Sequence, residues 1–218
     1  ALARSMKKLR IPSAHRGAGL VVALVVMVVM SLGALALVRA VATGLLVASN
    51  AAFRQAAVLA AETGSEAAVD WLSQRADGVD LLSDQAAAGY YASLPTGLSL
   101  TGQRDANTST YIDWDDDQCA NQSATICQSA STALPQDAAG HQIRYVIHRL
   151  CRVAGSPDAA ANSCLLFRST QGGSSNRGQL SYGASKRFQT SDSVYYRITV
   201  HVRGPRNTTA FVQTLVHY

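Results

Sequence analysis

Residues 17–38 read GAGLVVALVVMVVMSLGALALV, and this stretch decides the fold of the chain. The 21 residues from Ala18 to Val38 carry no charge. As a helix rising about 1.5 Å per residue they would extend roughly 30 Å, the thickness of the apolar part of a bilayer. A secretory signal peptide has a shorter apolar core, with its small-residue cleavage site after that core. Here the small residues come first, so the stretch predicts a membrane helix that stays on the mature protein.

The net charge of +5 comes from the residues before this helix. Residues 1–17 contain five Lys or Arg and no acidic residue, whereas residues 18–218 contain equal numbers of basic and acidic residues. Basic residues beside a membrane helix keep that end in the cytoplasm. The distribution predicts a single-pass protein with a cytoplasmic N-terminus and an exported C-terminal part. It argues against a nucleic-acid-binding surface, and no nucleic acid is expected as a partner.

The helical pattern continues beyond Arg39, because alanine, a strong helix former, dominates the residues that follow. Small and apolar residues recur there at three- and four-residue steps and make one stripe. The stripe consists of Phe53, Ala57, Ala60, Ala61, Gly64, Ala68, Trp71 and Leu72. The pattern predicts one helix from about Leu20 to about Gln74, weakened at Gly44 and Gly64 by about 1 kcal/mol each.

The last third of the chain has the period-2 alternation of β-strands. Strands are predicted at Gln142–Val153, Cys164–Ser169 and Val194–Arg203, and a turn at 204–207 leads into a return strand at Thr208–His217. Short connections between them indicate an antiparallel sheet. We expect the helix stripe to cover its apolar face. The opposite face is predicted to be polar and solvated, with His201 exposed and Val153 on the buried side.

Residues 77–140 are polar and irregular, with short strands expected around Leu98–Thr101 and Thr110–Trp114. Together these patterns predict an α+β chain. Its predicted parts are a basic leader at 1–17, a transmembrane and stalk helix at 18–76, and a globular domain at 77–218, made of a variable loop region at 77–140 and a sheet at 141–218.

The four cysteines lack the C-x2-C spacing of a zinc site. Three pairings are possible, and we expect Cys119 with Cys127 and Cys151 with Cys164, since both pairs close short loops. An oxidising compartment outside the cytoplasm favours disulfides over free thiols.

The ends of the chain resemble a type IV pilin, and in detail the PilX-type minor pilins. The residues that carry the resemblance are the run RGAGLVVALVVMVVMSLGALAL, the stalk NAAFRQAAVLAAE, the segment RYVIHRLC with its later NSC, and the ending YYRITVHVRGPRNTTAFVQTLV. Residues 77–140 carry little of it. The resemblance implies the type IV pilin fold, a long N-terminal helix packed on a C-terminal antiparallel sheet, with no cofactor and no enzymatic activity.

The resemblance also implies how the chain is processed and what it contacts. A prepilin peptidase would cut after Gly17, and Ala18 would then be N-methylated. Other minor pilins and the major pilin would pack on the N-terminal helix, and a PilY-type tip adhesin is a further implied partner. Before assembly the chain would sit in the inner membrane. The residues expected in the membrane and in helix packing are Leu20, Val22, Leu24, Val28, Leu32, Leu35 and Val38.

Two residues depart from the pattern of this family. Most pilins have Phe at the first mature position, where this chain has Ala18, and Glu at the fifth, where it has Val22. That glutamate is thought to meet the N-terminal amine of a neighbouring subunit inside the membrane, where a lone carboxylate is costly. A subunit at the tip has no neighbour above it, so Val22 predicts a place in the tip complex that initiates the pilus and supports adhesion or twitching.

Three other functions compete with this interpretation. A K-type pseudopilin of a type II secretion system also lacks the glutamate, although such proteins usually carry a large inserted domain. A single-pass membrane protein with a periplasmic sensor domain would keep its leader. A DNA-binding pilin would need a local basic patch, for which the candidates are Arg144, Arg149, Arg152, Arg203 and Arg206.

Two further motifs are weak. Asp113, Asp115 and Asp117 alternate like the start of a calcium loop, but Gln118 replaces the glycine and the bidentate Glu is missing. We interpret them as a solvated loop closed by a disulfide. Gly173-x4-Gly178 begins like a phosphate loop, but Gln179 and Leu180 replace the required Lys and Ser or Thr.

Overall fold

The computed structural model describes residues 18–76, 78–102, 107–120, 126–171 and 189–218. The predictions on the leader, on Gly17 and on the 173–178 glycine motif lie outside the described residues. The chain divides into two compact units, one ending at residue 51 and one spanning 52–218.

One helix, α1, runs from Ala18 to Ser73, 56 residues in all. The predicted span was about Leu20 to Gln74, so the periodicity located the C-terminal end to within one residue. The small side chains of the stripe, Ala57, Ala61 and Ala68, are fully buried, as is Leu72. Short 3-10 helices follow later at Val79–Leu82, Ala86–Ala88 and Pro205–Asn207.

The described residues after α1 contain eight strands. They are β1 (Tyr90–Tyr91), β2 (Leu98–Ser99), β3 (Thr110–Asp113), β4 (Ile126–Ser129), β5 (Gln142–Arg149), β6 (Leu166–Gln171), β7 (Gln189–Arg203) and β8 (Thr209–His217). In the main sheet, β7 pairs antiparallel with β5, β6 and β8. The sheet is mixed and not wholly antiparallel as predicted, because β1 joins the edge of β5 in parallel. The α+β class is confirmed.

The stripe of α1 covers one face of this sheet. Ala57, Ala61, Ala68 and Leu72 form one buried cluster with side chains of β5 and β7. The sheet members of that cluster are Ile143, Tyr145, Ile147, Val194, Tyr196, Ile198, Val200 and Val202. This is the packing that the alternation in the sequence predicted, because every second residue of β5 and β7 points to the helix.

The opposite face of the sheet has a cover that the sequence did not indicate. Strands β2, β3 and β4 form a small parallel sheet, and its residues pack on the main sheet around Ile112, Trp114 and Val146. Residues 77–140 therefore supply β1 and a second layer. The strands expected around Leu98–Thr101 and at Thr110–Trp114 are β2 and β3, whereas β1, β4 and the packing of this layer on the main sheet were not predicted.

Two predictions of exposure are wrong as a result. His201 was expected on a solvated face, but it is buried beneath Trp114 and stacks on Phe211 with ring centroids 4.6 Å apart. Val153 was expected to continue the buried side of β5, but the strand ends at Arg149 and Val153 is 40% exposed.

Candidate functional site

The N-terminal part of α1 presents an apolar surface to its surroundings. The membrane and packing residues Leu20, Val22, Leu24, Val28, Leu32, Leu35 and Val38 are all exposed. Among the described residues α1 is the helix long and apolar enough to cross a membrane, and none of its most apolar window is buried. So large an apolar surface on a polypeptide needs lipid or other protein to cover it.

Ala18, the expected site of methylation, is the first residue of α1. Gly17 itself lies outside the described residues.

The stalk part of α1 is held against the sheet at close range. Gly64 allows this approach, because a Cβ there would come 2.5 Å from Val200 Cγ1 and 2.7 Å from Ile143 Cγ2. Nearer the N-terminus of α1, the Arg206 guanidinium lies over the Phe53 ring, 5.1 Å from its centroid. This cation–π contact connects the β7–β8 turn to the helix. The glycine predicted to weaken the helix is thus the residue that lets it pack.

Both predicted disulfides are present, Cys119–Cys127 and Cys151–Cys164. The second closes the loop after β5, and a buried arginine holds that loop from inside. Arg149 is 1% exposed and donates from Nε to the Ala92 carbonyl at 2.9 Å and from Nη2 to the Gly155 carbonyl at 2.6 Å. These bonds connect the disulfide loop to the residues that follow β1.

The aspartates of the would-be calcium loop point to different partners. Asp113 accepts hydrogen bonds from the backbone N–H groups of Asp117 and Gln118 at 3.0 and 2.9 Å. Asp115 pairs with Arg203 at 3.2 Å, and the neighbouring Asp116 pairs with Arg144. The described residues contain no cluster of three or more metal-ligating side chains. The loop therefore contacts β5 through the Asp116–Arg144 ion pair and β7 through the Asp115–Arg203 ion pair.

The Arg144–Asp116 pair shifts the pKa values of both side chains. Its hydrogen bonds hold the pKa of the Asp116 carboxyl below its usual value and raise the pKa of the Arg144 guanidinium. The pair also lines an open groove of about 250 Å³ beside Ser129, Ser131 and Thr132. Because the charges are already matched, the groove presents a neutral polar surface.

Four of the five arginines named for a DNA-binding patch have partners within the protein. Arg144 and Arg203 are paired with aspartates, Arg149 is buried under two carbonyls, and Arg206 lies over Phe53. The fifth candidate, Arg152, is exposed.

Two buried histidines lie between the layers. Burial lowers the pKa of His148 to about 3 and that of His201 to about 4, so both rings are neutral near pH 7. His148 bonds through Nε2 to Gln128 Oε1 at 3.0 Å and stacks on Tyr91 at 5.5 Å. Neither histidine was recognised as a core residue from the sequence, because the covering layer itself was not predicted.

Comparison with known proteins adds no relative. No protein-family model, curated protein or solved structure matches this chain. Its function is therefore inferred from its own residues and fold.

Proposed function

We propose that the chain is a PilX-type minor pilin of the type IV pilus, acting in the tip complex that initiates pilus assembly and supports adhesion or twitching motility. The observation that supports this most is α1 itself. A single helix carries an exposed apolar half, Leu20 to Val47, and a half of small buried residues packed on a sheet. No catalytic role is proposed.

The apolar half of α1 would serve two purposes in succession. Before assembly it partitions into the inner membrane, with the basic residues 1–17 keeping the N-terminus cytoplasmic and the globular domain in the periplasm. On extraction, the same side chains need new apolar neighbours, since they would otherwise face water. The helices of the major pilin and of other minor pilins supply that surface.

The globular unit fits the periplasm and the pilus tip. Two disulfides suit an oxidising compartment, and the disulfide loop and the second layer offer surfaces to other minor pilins and to a PilY-type adhesin. Val22, which cannot make the intermolecular carboxylate–amine pair, favours a terminal place in the filament.

The decisive test is the N-terminus of the protein isolated from its native membrane. Intact mass and N-terminal sequencing are expected to give N-methyl-Ala18 as the first residue, with a gain of four hydrogen atoms on reduction of the two disulfides. Gly17→Leu is expected to block the cut, and Gly19→Ala is its matched control. An uncut N-terminus in the native protein would overturn the proposal and leave a single-pass membrane protein with a periplasmic sensor domain.

Cleavage alone does not separate a pilin from a K-type pseudopilin, because both are prepilin peptidase substrates. Deleting the chain and measuring surface pili and secreted exoproteins in parallel does. We expect loss of pili with secretion intact; the reverse result would assign the chain to type II secretion.

A further inference from the structure

One guanidinium of the main sheet lacks a counter-ion. Arg197 lies on β7 between Tyr196 and Ile198, which point to the helix, so Arg197 lies on the opposite face. Its Nε is buried without a hydrogen-bond partner, and no carboxylate among the described residues forms an ion pair with it. Burial alone lowers the pKa of this guanidinium. A charge taken partly out of water with no partner costs free energy.

The other arginines of β5 and β7 each have a hydrogen-bond or ion-pair partner. Arg144 and Arg203 have carboxylates, and Arg149 has two carbonyl acceptors. Arg197 has His148 opposite it on one side, and the His148 ring is neutral and donates elsewhere. On its other side stands Leu215. Among the arginines of β5 and β7, the lack of a partner is therefore particular to Arg197, although Nδ1 of the neighbouring His148 is also buried without one.

An exposed apolar surface adjoins this arginine, beyond the point where the second layer ends. We call it the aromatic patch, and it consists of Leu165, Phe167, Tyr195, Leu215 and His217. Phe167 stacks on His217 at 4.3 Å, and Tyr195 meets the edges of both rings. Leu165 is 53% and Leu215 60% exposed. A half-buried cation bordered by exposed aromatic and aliphatic side chains is the composition of a protein-binding hot spot.

We propose that the aromatic patch and Arg197 form a docking surface for a segment of another protein that carries a carboxylate flanked by apolar or aromatic side chains. The carboxylate would pair with the Arg197 guanidinium, and the flanking side chains would cover Phe167 and Leu215. Charge-assisted bonds of this kind are strongest where water is already partly excluded. The inference does not depend on the pilin assignment, because it uses only the sheet.

The chemistry of the surface favours this occupant over two others. A nucleic-acid strand needs several cations along its backbone, whereas the patch adjoins a single unpaired guanidinium in the described part of the chain. A second copy of this chain would have to offer an acidic, apolar segment. Among the described residues, the segment Asp113–Asp117 is already engaged: Trp114 is buried, and Asp115 and Asp116 hold arginines. Asp80 lies between the exposed Val79 and the buried Leu81, so it offers an exposed apolar side chain on one side only.

The test uses the full chain in lipid nanodiscs, labelled with 15N-arginine so that the Nε–H resonance of Arg197 can be followed. The probe is the peptide acetyl-Leu-Asp-Phe-amide, and the matched control is acetyl-Leu-Asn-Phe-amide. We expect the aspartyl peptide to shift the Arg197 resonance at up to about 10 mM and the asparaginyl peptide to bind at least about tenfold more weakly.

Leu215 provides the sharpest variants, because it is exposed and directly opposite Arg197. Leu215→Glu would place a carboxylate about 5 Å from the arginine stem across the strands and occupy the site from within. It is expected to abolish peptide binding, whereas its matched control Leu215→Gln keeps the preference for the aspartyl peptide. Arg197→Lys is expected to weaken binding about tenfold, and Arg203→Lys, at an arginine already paired, to leave it unchanged.

Three results would overturn the proposal. They are an Arg197 resonance that does not move, equal binding of the two peptides, and unchanged peptide binding in Leu215→Glu. A shift produced by oligothymidylate and not by the aspartyl peptide would replace the protein segment with a nucleic acid as the occupant.

Discussion

Gly64 of α1 lies directly against Val200 of β7, with no room for a methyl group between them. A Cβ at Gly64 would stand 2.5 Å from Val200 Cγ1, and Val200 is fully buried. The distance between helix and sheet is thus set by the smallest residue available.

Gly64→Ala is therefore expected to destabilise the protein although alanine favours helix. The gain in helix propensity is about 1 kcal/mol, and overpacking a buried β-branched contact costs about 1–3 kcal/mol. The thermal midpoint in detergent, followed by circular dichroism, should fall by a few degrees. Gly44→Ala is the matched control, since nothing lies within 4 Å of its Cβ position, and it should not lower the midpoint. A Gly64→Ala midpoint at or above the native one would refute the close contact.

The two buried histidines predict a loss of stability in mild acid. Their folded pKa values, about 3 for His148 and about 4 for His201, lie below the ordinary 6.5. As the pH falls below about 6.5 the unfolded chain takes up protons that the folded chain refuses, so the free energy of unfolding falls by up to about 1.4 kcal/mol per pH unit for each ring.

The loss of stability can be measured between about pH 6.5 and 4.5. At lower pH, Asp116 and Asp137 also lose the contribution to stability that their lowered pKa values provide. Thermal midpoints across it should fall less steeply in His148→Gln or His201→Gln. His217→Gln, at an exposed ring, should follow the native slope. Identical slopes in all four proteins would mean that both buried rings accept protons in the folded state.

Replacing the buried Arg149 should release the disulfide loop. Arg149→Met keeps the apolar stem but leaves the Ala92 and Gly155 carbonyls without donors, a loss of about 3 kcal/mol. The Gly155 amide, bonded to the Leu82 carbonyl, should then exchange with solvent deuterium much faster. Arg152→Met, at an exposed position in the same loop, is the control. Unchanged exchange at Gly155 would show that the disulfide alone holds the loop.

Val22→Glu tests the proposed tip location. A carboxylate at this depth costs about 3 kcal/mol unless a neighbouring amine meets it. If the chain caps the filament, no such amine is present, and fewer pili per cell or a shift of the subunit into the shaft is expected, as counted by immunogold electron microscopy. Val22→Leu controls for the change in side-chain size. Unchanged pilus numbers with unchanged tip labelling would remove any role for the substitution.

The sequence predicts the parts of the fold that repeat a signal over many residues. A 56-residue helix contains many turns of the same pattern, so its C-terminal end and its buried stripe could be predicted from the spacing of small and apolar residues. The same holds for Val194–Arg203, whose alternation predicted a strand there, although β7 itself begins earlier, at Gln189. The return strand β8 was predicted from the turn before it. The disulfide pairing could be predicted because short loops leave few alternatives.

What could not be predicted depends on residues distant in sequence. His201 has the pattern of a solvated position, and only the arrival of Trp114 buries it. The parallel pairing of β1 with β5 involves two residues, Tyr90 and Tyr91, and offers no period at all. Likewise, the unpaired state of Arg197 is defined by what its neighbours on other strands lack, and no local pattern encodes that.

The position of β7 in the chain has a consequence for biogenesis. This strand is the hydrogen-bonding partner of β5, β6 and β8, yet it begins only at Gln189. A polypeptide emerging N-terminal end first must therefore expose its alanine stripe and its β5 edge until β7 has appeared. Such long-range pairing forms slowly, and the aggregation-prone apolar surface stays exposed until it has formed. Folding of the main sheet is thus expected to be a late event in synthesis, and a chaperone would shield the apolar surfaces of the chain during that interval.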